Sequence, residues 1–138
     1  RLLKWKELTE RVIGCANEVS NHFGNGFLEK VYENALASEL KAIGLNVEQQ
    51  KPLQVRYKGV IVGDYQADLV VEERLLVELK AVKSLEDVHM AQCINYLKAT
   101  GVEVGLLLNF GPKAQVKRKV YSKATNGVNQ SSYPRSSA

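Results

Sequence analysis

The sequence predicts an α/β (α+β) domain with a mixed central sheet. Three observations predict it: helical periodicity over about residues 5–42, strand periodicity over 47–81, and a helix-then-strand return over 85–110. Leu8, Val12, Ile13, Ala16 and Val19 recur at helical spacing, so a first helix is expected over Trp5–Ser20. Asn21-His-Phe-Gly-Asn-Gly26 interrupts it, because glycine and asparagine accept the positive φ that ends helices and makes turns. A second helix is expected over Phe27–Ala42, with Gly44 as its C-terminal stop.

After Gly44 the period changes to two. Val47–Tyr57 reads as a first strand, and Pro52 places it at an edge or bulge. Lys58-Gly59 turns the chain into a second strand over Val60–Val71, with Gly63 marking a bend, and Glu72–Arg74 turn it again into Leu75–Ala81. Three consecutive strands joined by short turns predict an antiparallel meander. Helical spacing returns over Leu85–Thr100 up to Gly101, and Val102–Phe110 is an apolar strand stopped by Gly111-Pro112. A strand that follows a helical crossover pairs in parallel with an earlier one, which makes the sheet mixed. The order is α-α-β-β-β-α-β, with one domain over residues 1–121 and a flexible or disordered tail over 122–138, rich in Ser, Asn, Gly and Pro.

Composition excludes several classes. The 138 residues are 45% hydrophobic and 25% charged, enough for one buried core. No run approaches the ~18 apolar residues of a membrane span, and Arg1–Glu10 is too charged for a signal peptide, so a soluble, non-membrane protein is expected. Cys15 and Cys93 stand alone without a CxxC pair, which predicts two reduced, buried thiols and a cytoplasmic location rather than a zinc site or disulfide. The net charge of +4 is unevenly placed. Lys113, Lys117, Arg118, Lys119, Lys123 and Arg135 follow residue 112 with no acid among them, while residues 1–112 hold 13 basic and 15 acidic side chains. A basic end on a nearly neutral body attracts a polyanion, and it equally serves as a solvated tail.

The chemistry-bearing residues cluster around the second and third strands. Glu78 and Lys80, two apart on one strand, share a face, and Asp68 falls nearly opposite Glu78 if the hairpin turns at Glu72–Arg74. Two carboxylates and an ammonium then converge. Mg²⁺ favours such oxygen donors and keeps waters of its own, so two carboxylates and a substrate phosphate suffice for it. An E-x-K pair also occurs on solvated sheet faces, and spacing alone favours that; the apolar Leu75, Val77, Leu79 and Ala81 around it point to a central strand instead. On the second helix, with Leu28 at 0°, Glu29 lies near 100° within the stripe of Tyr32, Leu36 and Leu40, and Glu33 lies outside it near 140°. Glu29 therefore either serves the helix terminus or reaches into a polar pocket. Tyr32 reads as core with its hydroxyl satisfied. On the third helix Leu85, His89, Gln92 and Tyr96 form one inward stripe, with His89 read as structural.

Gly26-Phe-Leu-Glu29-Lys-Val-Tyr32 resembles the signature of the GxxExxY proteins, a bacterial group within the PD-(D/E)XK nuclease superfamily. The resemblance continues through Tyr57-Lys-Gly59, Gly63-Asp-Tyr65, Ala67-Asp-Leu69, Val77-Glu-Leu-Lys-Ala-Val82, Asn95-Tyr-Leu-Lys98 and Gly105 to Gly111, covering roughly residues 10–120. It implies a restriction-endonuclease-like α-β-β-β-α-β core with one extra N-terminal helix. It also implies catalytic roles for Glu29, Asp68, Glu78, Lys80, Gln92 and Tyr96, with Asp68, Glu78 and Glu29 as ligands of Mg²⁺ or Mn²⁺ and Lys80 serving the attacking water. Gln92-Cys-Ile-Asn-Tyr96 is similar to the Q-x-x-x-Y element of RecB-type exonucleases. The usual Pro before the strand Asp is replaced by Gln66-Ala67.

Three functions remain in view at this level: a Mg²⁺-dependent nuclease acting on nucleic acid, DNA ahead of RNA; a catalytically inactive nucleic-acid-binding or assembly module; and a purely structural oligomerisation domain. In the first two, Lys113, Lys117, Arg118 and Lys119 are the expected nucleic-acid contacts. The exposed edge of the first strand leaves a homodimer open.

Overall fold

The structure, a computed structural model, describes residues 4–122, so the expected tail beyond Ser122 lies outside the described residues. Two helices come first, α1 (Trp5–Phe23) and α2 (Glu29–Ala42), then the meander β1 (Val47–Tyr57), β2 (Val60–Val71) and β3 (Leu75–Lys80). The crossover helix α3 (Asp87–Thr100) leads to β4 (Val104–Asn109), and β5 (Gln115–Val120) is the last element among the described residues. The sheet order is β1-β2-β3-β4-β5. Every neighbouring pair is antiparallel except β3 and β4, which run parallel as a helical crossover demands. β1 carries Pro52 at the sheet's edge, where a missing donor costs no ladder bond.

β5 corrects the expectation that no strand follows Gly111-Pro112. Gln115–Val120 pairs with all of β4, from Asn109↔Gln115 to Val104↔Val120. Its charges hid it: an edge strand needs no apolar face, and Val116 and Val120 remain 41% and 50% exposed. Helix bounds also differ. α1 continues to Phe23, and α2 starts at Glu29, leaving Phe27 and Leu28 exposed before it.

The sheet has two unlike faces. Toward α1 and α2 it buries Leu69, Val71, Leu75, Val77, Leu79, Val104, Leu106, Leu108 and Phe110 against Leu8, Val12, Tyr32, Leu36 and Leu40. Toward α3 the buried cluster is only Ala67, Val70, Leu76 and Leu97, flanked by Leu53, Tyr65, Ile94 and Tyr96. α3 sits close because β4 offers Gly105, where an added Cβ would lie 2.9 Å from the Cys93 Sγ. Polar groups have room on this thinner face.

Candidate active site

The β2–β3 ladder is short. Backbone pairing runs only from Val71↔Leu75 to Leu69↔Val77, although both strands continue beyond it. Where the ladder stops, two carboxylates take over the freed amides: Leu79 N–H donates to Asp68 Oδ2 (2.9 Å) and Asp68 N–H donates to Glu78 Oε2 (3.3 Å). Asp68 and Glu78 are thus locked side by side across the parting strands. Lys80 follows on the face of Leu76 and Glu78, since Val77 and Leu79 point to the other. Among the described residues nothing pairs with its ammonium; the ion pairs found are Lys30–Glu33 and Lys51–Glu48.

Glu78 is the electrostatic anomaly. Burial, and then the neighbouring Asp68 carboxylate, push its pKa up to about 8, against which the Tyr65 hydroxyl bonded to Glu78 Oε2 offers partial relief. Tyr65 is itself raised, by burial and then by Glu78. Its ring lies flat on Tyr96 of α3, with centroids 3.4 Å apart and planes 7° apart. Tyr96 therefore reaches the site through Tyr65. Cys93 is buried beside them, and burial and then Glu78 raise its thiol to about 11, consistent with a reduced, inert cysteine.

The early helix contributes differently from its wheel. Glu33, expected outside the core stripe, is 4% exposed, and Glu29, expected on it, is exposed. The buried arc extends to Ala37, near 180° on that wheel, which takes in Glu33. Glu29 opens the helix and so overhangs the core's rim, where its carboxylate accepts Ala81 N–H at 3.3 Å, beside Lys80. It is near the site without joining the Asp68–Glu78 pair. Glu33 instead accepts Lys30 Nζ (3.2 Å), Gln49 Nε2 (2.8 Å) and Gln50 Nε2 (2.9 Å). Gln50 Nε2 also donates to Asp68 Oδ1 (3.3 Å), so one amide clamps the buried glutamate to the site aspartate. Gln50 holds this position at φ +51°, a left-handed conformation that costs a non-glycine residue about 1–3 kcal/mol.

Asn109 completes the frame. Buried at 3% exposure, it accepts Val82 N–H (2.9 Å) and Gly111 N–H (3.1 Å) and donates to the Val82 (2.9 Å) and Lys113 (3.0 Å) carbonyls. Those bonds pin the segment just after Lys80. The sequence offered a signal for it: an asparagine ending an apolar run must find partners when buried. Tyr65 was legible only as part of a motif, and nothing in the sequence marked Gln50.

The other expected residues separate. Gln92 is exposed, one turn before Tyr96 on α3, and its side chain forms no hydrogen bond among the described residues. The expected inward stripe of α3 is corrected: Cys93 and Leu97 are the helix's buried residues, and His89 Nδ1 accepts Glu86 N–H (2.9 Å) at the helix start. On β5, Lys117 lies opposite Leu107 and Lys119 opposite Gly105, on the site's face, while Arg118 lies opposite Leu106 on the other. Lys113 is exposed in the β4–β5 turn. Tyr32 is core as expected: it stacks on Phe110 at 4.8 Å, and its hydroxyl donates to Gly24 O (2.7 Å) and accepts Phe27 N–H (3.2 Å).

Residues 6–121 match the family model of the PD-(D/E)XK nuclease superfamily. This chain belongs to that superfamily. The PD-(D/E)XK fold is likewise consistent with a crystal structure, that of SSO0001, which superposes with a TM-score of 0.51 at 20% identity over 85% of this chain and 60% of that one. The present chain thus spans less than two thirds of that protein. Comparison with the curated proteins returns no significant match. No helix among the described residues is long and apolar enough to cross a membrane.

PD-(D/E)XK nucleases usually use divalent metals, and the donor set here suits one. Two adjoining carboxylates, one of them desolvated, repel each other and gain from a shared cation. No group of three or more His, Cys, Asp or Glu that could hold a metal occurs among the described residues. A Mg²⁺ held by two carboxylates would complete its shell with water and substrate phosphate, as that ion commonly does.

Proposed function

We propose that this chain is a Mg²⁺- or Mn²⁺-dependent nuclease that hydrolyses phosphodiesters, DNA ahead of RNA. The observation that carries the proposal is the contact of Asp68 with the desolvated Glu78 where β2 and β3 part, with Lys80, unpaired among the described residues, on the face of Glu78. Unpaired charge is costly on a strand with both neighbours in place, and it is retained here at one spot. The superfamily implies a nucleic-acid substrate.

Asp68 and Glu78 would hold the ion. When bound, a divalent ion acidifies a water and offsets charge on the phosphoryl oxygens. Lys80 orients the attacking water and stabilises the negative charge that develops. Gln50 and Leu79 N–H fix the two oxygens of Asp68, and Tyr65 fixes Glu78, so the carboxylates need no reorganisation. Glu29 stands at the rim beside Lys80, and Gln92 and Tyr96 line the α3 side, where they position substrate phosphate. Lys117, two strand spacings or about 10 Å from Glu78 along one row of the sheet, receives the flanking backbone, with Lys119 beside it. Lys113 and Arg118 extend that basic edge. The Gly26–Tyr32 signature supports placing the chain in the GxxExxY group.

The test is cleavage of single- and double-stranded DNA and RNA in Mg²⁺ or Mn²⁺ by the wild type, Lys80→Ala and Asp68→Asn. The wild type should cut and both variants should lose at least about 100-fold. Equal cutting by all three would trace the activity to a contaminant and end the proposal. Salt-dependent binding with no cutting by any of them would favour an inactive binding module.

A further inference from the structure

Beyond Leu53 and Tyr65, the last residues of the β1–β2 hairpin packed into the cluster under α3, Gln54, Arg56 and Asp64 share an open cleft with Ala99 and Thr100 of α3, and past them the two strands pair with each other. All of residues 54–64 are exposed except Val55 and Gly63, which are intermediate. The ribbon turns through Lys58 (φ +48°) and Gly59 (φ +83°), the two positive-φ residues of a tight hairpin turn. A register shift at Val55/Arg56 leaves Val62 as an extra residue and increases the local twist. Free two-stranded ribbons are marginal in water, yet this one exposes Tyr57 (61%), Val60 (62%), Ile61 (46%) and Val62 (60%). Among the described residues, none of those side chains joins a buried cluster.

We propose that residues 54–64 form an arm that enters the major groove of duplex DNA and holds it for the site at Asp68 and Glu78. The proposal rests on the nuclease reading for its partner class and adds the form of the substrate. Charge favours this occupant: Arg56 and Lys58 flank the aromatic Tyr57, Lys58 Nζ lies 5.3 Å from the Tyr57 ring centroid, and the ribbon's single acid, Asp64, lies near its base. A second copy docked tip to tip would oppose the same cations. Shape agrees. A two-stranded ribbon fits the roughly 12 Å major groove of B-form DNA, and an extension of about 15 Å past Leu53 exceeds the groove's depth of about 8.5 Å. The deep, narrow major groove of duplex RNA excludes it. Position agrees as well, because the ribbon's base is Tyr65, the hydroxyl donor to Glu78.

Two variants of the full chain, Arg56→Gln/Lys58→Gln and Tyr57→Ser/Ile61→Ser, test this by anisotropy titration of a labelled 20-base-pair DNA duplex in EDTA, with circular dichroism to verify the fold. The first should bind at least about 10-fold more weakly and lower the salt slope by about two. The second should bind several-fold more weakly with the slope unchanged. Duplex RNA should bind more weakly than DNA and respond to neither variant. Wild-type affinity for DNA in both variants, or an equal loss on duplex RNA, would overturn the arm. So would a wild-type dimer that Tyr57→Ser/Ile61→Ser splits without changing DNA affinity, since a second copy would then be the occupant. Cleavage of single- and double-stranded DNA by the wild type in Mg²⁺ or Mn²⁺ is scored separately: arm-dependent binding with neither form cut leaves the arm standing and removes the nuclease reading.

Discussion

On β3 alone, Leu75, Val77 and Leu79 enter the layer beneath α1 and α2, while Leu76, Glu78 and Lys80 turn toward α3. The first face is a continuous apolar layer in which most positions are below a few percent exposure. The second holds a smaller cluster and spends the remaining area on Glu78, Lys80, Tyr65 and Tyr96, with Asp68 beside Glu78 where the strands part. The difference teaches a division of labour: the thick face supplies the stability that lets the thin face keep adjoining carboxylates. Residues one step apart on a single strand should therefore fail in opposite ways.

The largest effect should separate Lys80 from Leu79. Lys80→Ala should lose about 10²–10⁴-fold in cleavage rate while its thermal midpoint stays near wild type. Leu79→Ala should lower stability by about 2–5 kcal/mol in urea titration, leaving the activity of the folded fraction largely intact. If Leu79→Ala instead abolishes activity while remaining stable, the two faces are not independent.

The next effect concerns Glu78 in metal-free protein. Its folded pKa, about 8, lies above its ordinary 4.5, so the folded state keeps a proton that the unfolded chain has released. Stability contributed by this group is therefore full below about pH 4.5 and is lost as pH rises toward 8. Glu78→Gln should be about as stable as wild type at pH 4.5 and more stable by a few kcal/mol at pH 8 in EDTA. A constant difference across that range would show that Glu78 is not held in repulsion. A smaller effect is expected at Gln50: Gln50→Ala strips a donor from both Glu33 and Asp68, costing about 1–2 kcal/mol and about 10-fold in cleavage. Gln50→Gly relieves the positive φ but loses the same bonds, so it should recover stability more than rate.

The apolar face was the more legible in the sequence. Periodicity set β1 and β2 at their observed ends, and Pro52 marked the edge. It also put Asp68 across from Glu78 through the two-residue period and the turn at Glu72–Arg74, both φ-positive at 72 and 73. The polar face was read less well because its signals are not periodic. β5 has no buried stripe to betray it. The burial of Glu33 depends on how far the α2 arc reaches over β1 and β2, and the left-handed Gln50 is imposed by partners 17 and 18 residues away in sequence. Asn109 acts through a loop that its own strand does not contain.

The most direct test is calorimetric titration of Mn²⁺ into the wild type and Glu78→Gln near pH 8 with no nucleic acid present. The account predicts one ion per chain in the wild type, proton release on binding because Glu78 must ionise, and at least about 10-fold weaker binding in the variant. Equal binding by the two proteins, or none by the wild type even with a phosphodiester oligonucleotide added, would contradict it.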